Sequence, residues 1–171
     1  MILRDATSSD AAALADLGAR SFCAKFAHLY KPEDLSNFLA ESHCEATVSA
    51  EIADPKIAVF LAVEDEKLLG YCKVKLACGW PEHARGKSVI ELKQLYTDPD
   101  VTGKGIGAAL MDHAIDLARE AGADEVQLSV YSDNPGAQRF YRRYGFDKVA
   151  DIHFMVGDQR DEEFLFAAML D

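Results

Sequence analysis

Two near-continuous apolar runs of strand length, 57–63 (IAVFLAV) and 68–76 (LLGYCKVKL), flank the polar segment Glu64-Asp65-Glu66-Lys67. That pattern predicts a β-hairpin with an acidic turn. Further strands are predicted at 89–96 (VIELKQLY), 125–131 (EVQLSVY) and 163–170 (EFLFAAML). Phe146 opens another strand, and residues 2–5 supply a short first one. Elsewhere the period is helical. Ile106, Leu110, Ala114, Leu117 and Ala121 recur at helix spacing across 105–121, and Gly122 suits the position just past the last turn. Leu14, Leu17 and Phe22 mark a helix within 8–28, after the N-cap types Thr7-Ser8-Ser9-Asp10. A second helix starts near Pro32, with Glu33 and Asp34 facing the positive end of its dipole. Its apolar face is Leu35, Phe38 and Leu39, and Ala53-Asp54-Pro55 punctuates its end. A short helix runs from Asn134-Pro135 to about Tyr144, closed by Gly145, and residues 77–88 form a loop. With no repeats or linkers, residues 1–171 read as one mixed α/β domain.

Composition narrows the function without naming it. The 171 residues carry 18 Lys+Arg against 29 Asp+Glu, a formal net charge of −11, which argues against a protein that binds by neutralising phosphate backbones. Excess acid is also an ordinary recipe for solubility, so it points only weakly to a cationic partner. No run approaches the roughly 18 apolar residues of a membrane span, and Asp5, Asp10 and Asp16 occupy the place of a basic leader. Cys23, Cys44, Cys72 and Cys78 are scattered and read as reduced thiols. His43-Cys44 is the one His/Cys neighbour pair, and nothing nearby completes a zinc set, so no metal is expected. A cytoplasmic protein with neither nucleic-acid nor membrane partners is the expectation.

The informative element is the strand–turn–helix Leu95-Tyr96-Thr97-Asp98-Pro99-Asp100-Val101-Thr102-Gly103-Lys104-Gly105-Ile106-Gly107-Ala108. Its glycines let the backbone turn sharply and approach a ligand, and the free amides of the first helical turn favour an anion. It reads either as a diphosphate cradle or as a structural turn with a cap. Two other phosphate motifs fail. Gly86-Lys87-Ser88 ends like a P-loop, but Pro81 stands where its first glycine belongs and the segment precedes a strand. A dinucleotide fingerprint belongs to a first βαβ unit with an acid at the end of its second strand, whereas Asp124-Glu125 opens the next strand here.

These residues resemble the GNAT superfamily of N-acetyltransferases. Its Q/R-x-x-G-x-G/A signature is matched by Thr102-Gly103-Lys104-Gly105-Ile106-Gly107, departing only at Thr102. A second block, Asn134-Pro135-Gly136-Ala137-Gln138-Arg139-Phe140-Tyr141-Arg142-Arg143-Tyr144-Gly145-Phe146, reads as the family's N-x-x-A-x-x-F-Y-x-x-x-G-F. The specific match covers 89–147, while the N-terminal half agrees only in element order. The resemblance implies a central, mostly antiparallel twisted sheet of about six or seven strands, splayed between 89–96 and 125–131 and flanked by about four helices. It also implies acetyl transfer from acetyl-CoA to an amine by direct attack, with no metal.

Carbonyl attack needs a neutral amine, although a free amine is mostly protonated at pH 7, and the departing thiolate needs a proton. By resemblance Tyr141 is the general acid; its other reading is one ring of an aromatic face with Phe140 and Tyr144. Glu91 is the candidate base, or else a solvent-facing glutamate between Ile90 and Leu92. Resemblance places pantetheine on the main chain of Leu95, Tyr96 and Thr97. The diphosphate falls on Thr102, Gly103, Lys104, Gly105, Ile106, Gly107 and Ala108. Asn134 either contacts the pantetheine arm or caps the following helix. Arg143, slightly ahead of Arg142, meets the 3′-phosphate or is simply solvated. The acceptor site would draw on Phe22, Phe26, His28, Tyr30, Glu33, Asp34, Trp80, Glu82 and His83. The segment 26–35 is similar to small-molecule acetyltransferases, including those for polyamines, which with the acidity points to a cationic small-molecule amine. Peptide or protein N-termini, and a CoA-binding pseudoenzyme, are the alternatives. The strand-rich C-terminus suggests a homodimer.

Overall fold

Alternation along the chain is realised as a seven-stranded sheet in the order β1-β2-β3-β4-β5-β7-β6. The computed structural model describes residues 1–101 and 103–171, so Thr102 lies outside the described residues. The strands are β1 (Ile2–Asp5), β2 (Ile57–Glu64), β3 (Lys67–Lys75), β4 (Val89–Thr97), β5 (Glu125–Tyr131), β6 (Asp147–Val156) and β7 (Gln159–Met169). Every neighbouring pair is antiparallel except β4–β5. The helices are α1 (Ala11–Phe26), α2 (Pro32–Ser42), α3 (Glu45–Ala53), α4 (Ile106–Glu120) and α5 (Pro135–Arg142). None is long and apolar enough to cross a membrane among the described residues.

Both faces of β2 and β3 are covered, which is why those strands are apolar almost throughout. Phe60, Ala62, Cys72 and Val74 face α4, whose Ile106, Leu110, Met111, Ala114 and Ala118 form the other half of that core. Val59, Leu61 and Tyr71 point the opposite way, toward Leu14 and Leu17 of α1 and Val48 of α3. Lys73 shares this second face and is fully buried. Its ammonium lies 2.7 Å from Glu51 of α3, and the other oxygen of Glu51 holds Lys93 at 3.0 Å. Lys93 is the extra residue of a bulge, since Lys73 pairs with Gln94 while Val74 pairs with Leu92.

Two expectations change. The hairpin turn is as expected, with Asp65 and Glu66 at positive φ in the manner of a tight two-residue hairpin loop. The segment expected as one helix from Pro32 to Ala53 divides, however, at His43-Cys44. Cys44 is extended, at φ −101° and ψ 157°, and its sulfur accepts the Thr47 N–H, so it starts a new helix as an N-cap. The break turns His43 inward among Phe22, Phe38 and Tyr96. The helix expected over 8–28 is likewise bracketed by short 3₁₀ turns at Ser8–Asp10 and Ala27–Leu29.

Candidate active site

The site begins where the sheet comes apart. Strands β4 and β5 pair through only three residues, Val89↔Glu125, Ile90↔Val126 and Glu91↔Gln127, although both run on, to Thr97 and Tyr131. Below the parting, the loop 77–88 is pinned to β5. Glu125, fully buried, accepts the N–H groups of Arg85 and Gly86 and the Arg85 guanidinium at 2.8 Å. Asp124 takes the N–H groups of Lys87 and Ser88, each at 2.9 Å. The Gln127 amide clasps the Trp80 backbone in both directions at 3.1 Å. Gly86-Lys87-Ser88 is thus a strut, which explains its P-loop-like ending without any phosphate.

Above the parting, the gap opens into two adjoining cavities of about 380 and 540 Å3 that share Lys25, Phe26, Leu95, Tyr131, Asn134, Ala137 and Tyr141. The larger one reaches the glycine turn through Thr97, Gly107 and Phe140. There Gly103 and Gly105 adopt φ +74° and +68°, and a Cβ at either would meet nothing within 4 Å. The backbone therefore presents an open concave surface. The first helical bond of α4 runs from the Ala109 N–H to the Gly105 carbonyl, so the N–H groups of Ile106, Gly107 and Ala108 precede the ladder and, among the described residues, have no backbone acceptor. This is the geometry of an anion cradle at a helix N-terminus. Its charged neighbour Lys104 is turned away, held by Glu64 at 2.5 Å. Asp98, 4% exposed, fixes the entry to the turn by accepting the Asp100 N–H and facing Arg20 at 3.4 Å.

The remaining expected residues fall as follows. Leu95, Tyr96 and Thr97 line the cavities, and the Tyr96 ring also packs against Tyr71 at 5.7 Å. Asn134 caps α5 by accepting the Ala137 N–H at 3.2 Å, which leaves its amide N–H groups toward both cavities. Arg143 lies over the Phe140 ring at 5.5 Å, near the cradle's side of α5. Tyr141 lines both cavities and is edge-on to Phe140 and Phe146. Burial, then Cys72 and Glu163, push its phenol well above the usual tyrosine range, so it holds its proton at neutral pH.

The smaller cavity is aromatic and carries carboxylates, with Lys25 and Lys93 also in its lining. Phe22, Phe26, Tyr30, Phe38, Trp80 and Phe154 line it together with Glu91, Asp161 and Glu163. Glu91 is raised above the usual carboxylate range by burial, offset by Lys75 and Lys93. A Cβ at Gly79 would approach a Glu91 oxygen to 2.9 Å, so the glycine makes room for that carboxylate. Of the acceptor residues expected from sequence, Phe22, Phe26, Tyr30 and Trp80 are here, while His28 lies on the larger cavity. Glu33, Asp34, Glu82 and His83 line neither. Asp34 instead accepts the Asp158 N–H at 3.1 Å, tying α2 to the β6–β7 turn. Sequence reasoning missed both Asp161, which falls before the expected last strand 163–170, and Glu163, which opens it. The signal was the acidic start Asp161-Glu162-Glu163 of a run that is otherwise apolar.

A sheet parted after a parallel pair, with helix N-terminal amides at one mouth and a phenol in the gap, has room for an extended anionic ligand between two strands. The chain belongs to the acetyltransferase (GNAT) family, whose model matches residues 22–146. It is an N-acetyltransferase of that family. An uncharacterized N-acetyltransferase of Mycobacterium tuberculosis (strain ATCC 25618 / H37Rv) is 29% identical over 163 residues, 95% of this chain and 99% of that protein. A mycothiol acetyltransferase of Beutenbergia cavernae is 39% identical over 85 residues, 48% of this chain and 27% of that protein. Among solved structures, the paiA N-acetyltransferase of Thermoplasma acidophilum in complex with coenzyme A superimposes with a TM-score of 0.81 at 22% identity, covering 99% of this chain and 98% of that one. These relatives support the family and not a narrower likeness to polyamine acetyltransferases.

Proposed function

We propose that the protein moves the acetyl group of acetyl-CoA to the primary amine of a small cationic molecule by direct attack on the thioester. The observation that carries this reading is the parted sheet with Tyr141 between its two cavities, one ending at the anion cradle and the other at carboxylates. Acetyl-CoA supplies an activated carbonyl and a diphosphate. The cradle fits the latter, since open backbone at Gly103 and Gly105 and the amides of 106–108 offer donors with no side chain in the way. The coenzyme A held by the Thermoplasma relative supports the same reading.

On this reading the chain divides the work by position. Main-chain groups of Leu95, Tyr96 and Thr97, unpaired on the β5 side, hydrogen-bond the pantetheine amides as a partner strand would. Asn134 adds its amide N–H, and Arg143 serves the 3′-phosphate. As the amine nitrogen bonds to the carbonyl carbon and the carbon–sulfur bond breaks, Tyr141 donates its proton to the sulfur. Glu91 takes the amine's surplus proton through water and returns it to solvent. The phenol regains its proton from bulk water, so charge and protons balance over the cycle.

Thiol release with a panel of amines tests this reading. Tyr141→Phe is expected to slow transfer by about 10²- to 10⁴-fold while acetyl-CoA binding, read by calorimetry, changes little. Unchanged turnover removes the acid role. Failure of the wild-type protein to bind acetyl-CoA removes the whole scheme.

A further inference from the structure

We propose that Glu163, on the wall of the smaller cavity opposite Glu91, receives the acceptor's ammonium group and selects alkylammonium acceptors over zwitterionic amino acids. The inference rests on the transfer reading above and adds the residue that chooses the acceptor.

Register sets the position. Glu163 pairs with Tyr131 of β5, four residues beyond Gln127, the last β5 residue to pair with β4. At about 3.3 Å per residue, the main-chain positions of the two residues are offset by about 13 Å along the strand direction. Glu91 stands at the closed end of the parted sheet, and Glu163 stands at the open end. That is the level of Tyr141, whose phenol feels the Glu163 charge, whereas Glu91 interacts chiefly with Lys75 and Lys93. The phenols of Tyr30, Tyr96 and Tyr131 feel Glu163 as well.

Chemistry sets the ligand. One oxygen of Glu163, Oε2, is buried and has no hydrogen-bond partner, and no ion pair reaches it among the described residues. Buried polar atoms are satisfied in the great majority of cases, so an unpartnered acceptor on a residue that lines the cavity points to a donor from outside, met by a turn of the side chain. Its neighbour Asp161, 5% exposed, is already engaged by the Tyr30 hydroxyl and by Gln159 at 3.0 Å. Asp161 therefore adds negative potential without competing for the ligand. Burial, then Asp161, raise the Glu163 pKa to about 8, so the free carboxyl is mostly protonated at neutral pH and an arriving ammonium draws out its ionised form. The rings of Phe22, Tyr30 and Phe154 offer π faces to the same cation. A zwitterion would bring its carboxylate against Asp161 and Glu163, which repels it.

The test compares wild type with Glu163→Gln, which keeps the shape and removes the charge. The probes are 1,4-diaminobutane, phenethylamine and alanine. Thiol release gives KM and kcat, and calorimetry gives amine binding to the CoA complex. The expected result is a KM for both alkylammonium probes raised about tenfold or more, with the acetyl-CoA KM within about twofold. Glu163→Asp, which keeps the charge on a shorter arm, is expected to fall between them. Losing a buried, unpartnered carboxylate should leave the melting temperature no lower, which separates recognition from damage. Equal amine KM values in wild type and Glu163→Gln overturn the inference and leave the transfer reading standing. So does alanine used as well as the alkylammonium probes. Amine binding weakened by the substitution, with no thiol release from either protein, supports the inference and overturns the transfer reading. Neither binding nor release overturns both.

Discussion

The two cavities are built by opposite means. At the cradle the groups offered to a ligand are backbone N–H groups of 106–108, and the side chains of Gly103 and Gly105 matter there by their absence. On the acceptor side they are side chains from α1, β4, β6, β7 and the 80s loop, gathered from across the whole chain. A donor shared by a family is held by what every sequence has, its amides. An acceptor peculiar to one protein is held by what distinguishes that sequence. Charge follows the same division. A cradle of backbone amides needs no cationic side chain, so on the proposed reading a net charge of −11 is no obstacle to a diphosphate there. The acids concentrate their effect where a cation is expected.

That contrast has a weak point where the halves share support, and the largest effect is expected there. Glu51 holds both buried Lys73 and the bulge residue Lys93, so it underlies the upper part of β4 from which both cavities are hung. Glu51→Gln leaves the Lys73 ammonium buried and poorly paired, at a cost of about 3–5 kcal/mol. Chemical denaturation is expected to record that loss, and both substrates' KM values should rise together. A change in only one would show the halves to be independently supported. Next comes Gly105→Val, which should act on one side alone. A β-branched residue is strained at φ +68° by about 1–2 kcal/mol, while its side chain projects into the space the diphosphate would occupy. Loss of two amide–phosphate bonds weakens acetyl-CoA binding about a hundredfold, measured by calorimetry, with amine KM nearly unchanged. Asn134→Asp gives the smallest effect. The carboxylate still caps α5, so stability should hold within about 0.5 kcal/mol, but the amide N–H is gone. Acetyl-CoA affinity is expected to fall about fivefold; unchanged affinity leaves Asn134 a cap only.

The same division explains what could be read in advance. The strands, the crossover helix α4 and the cradle follow from local pattern, because turn glycines and apolar periods act over neighbouring residues. Tyr141 was legible through its block, 134–146. The break at Cys44 was not, since a cysteine that caps a helix has no distinctive spacing. Nor was Glu163. Its significance is that β7, not β6, lies beside β5, a pairing of residues 131 and 163 that no local period encodes. Glu33 and Asp34 were expected near the acceptor from charge and proximity in sequence, but the tie between Asp34 and the β6–β7 turn directs them elsewhere.

The parted sheet has one more consequence, for the backbone itself. Beyond Glu91, β4 keeps its ladder to β3 but has none to β5, so successive peptide groups are alternately latched and free. Deuterium uptake along 92–97 should therefore rise and fall from one residue to the next, where a doubly flanked strand would be slow throughout. Acetyl-CoA seated as the missing strand would flatten that alternation, writing the position of the pantetheine arm into exchange rates residue by residue.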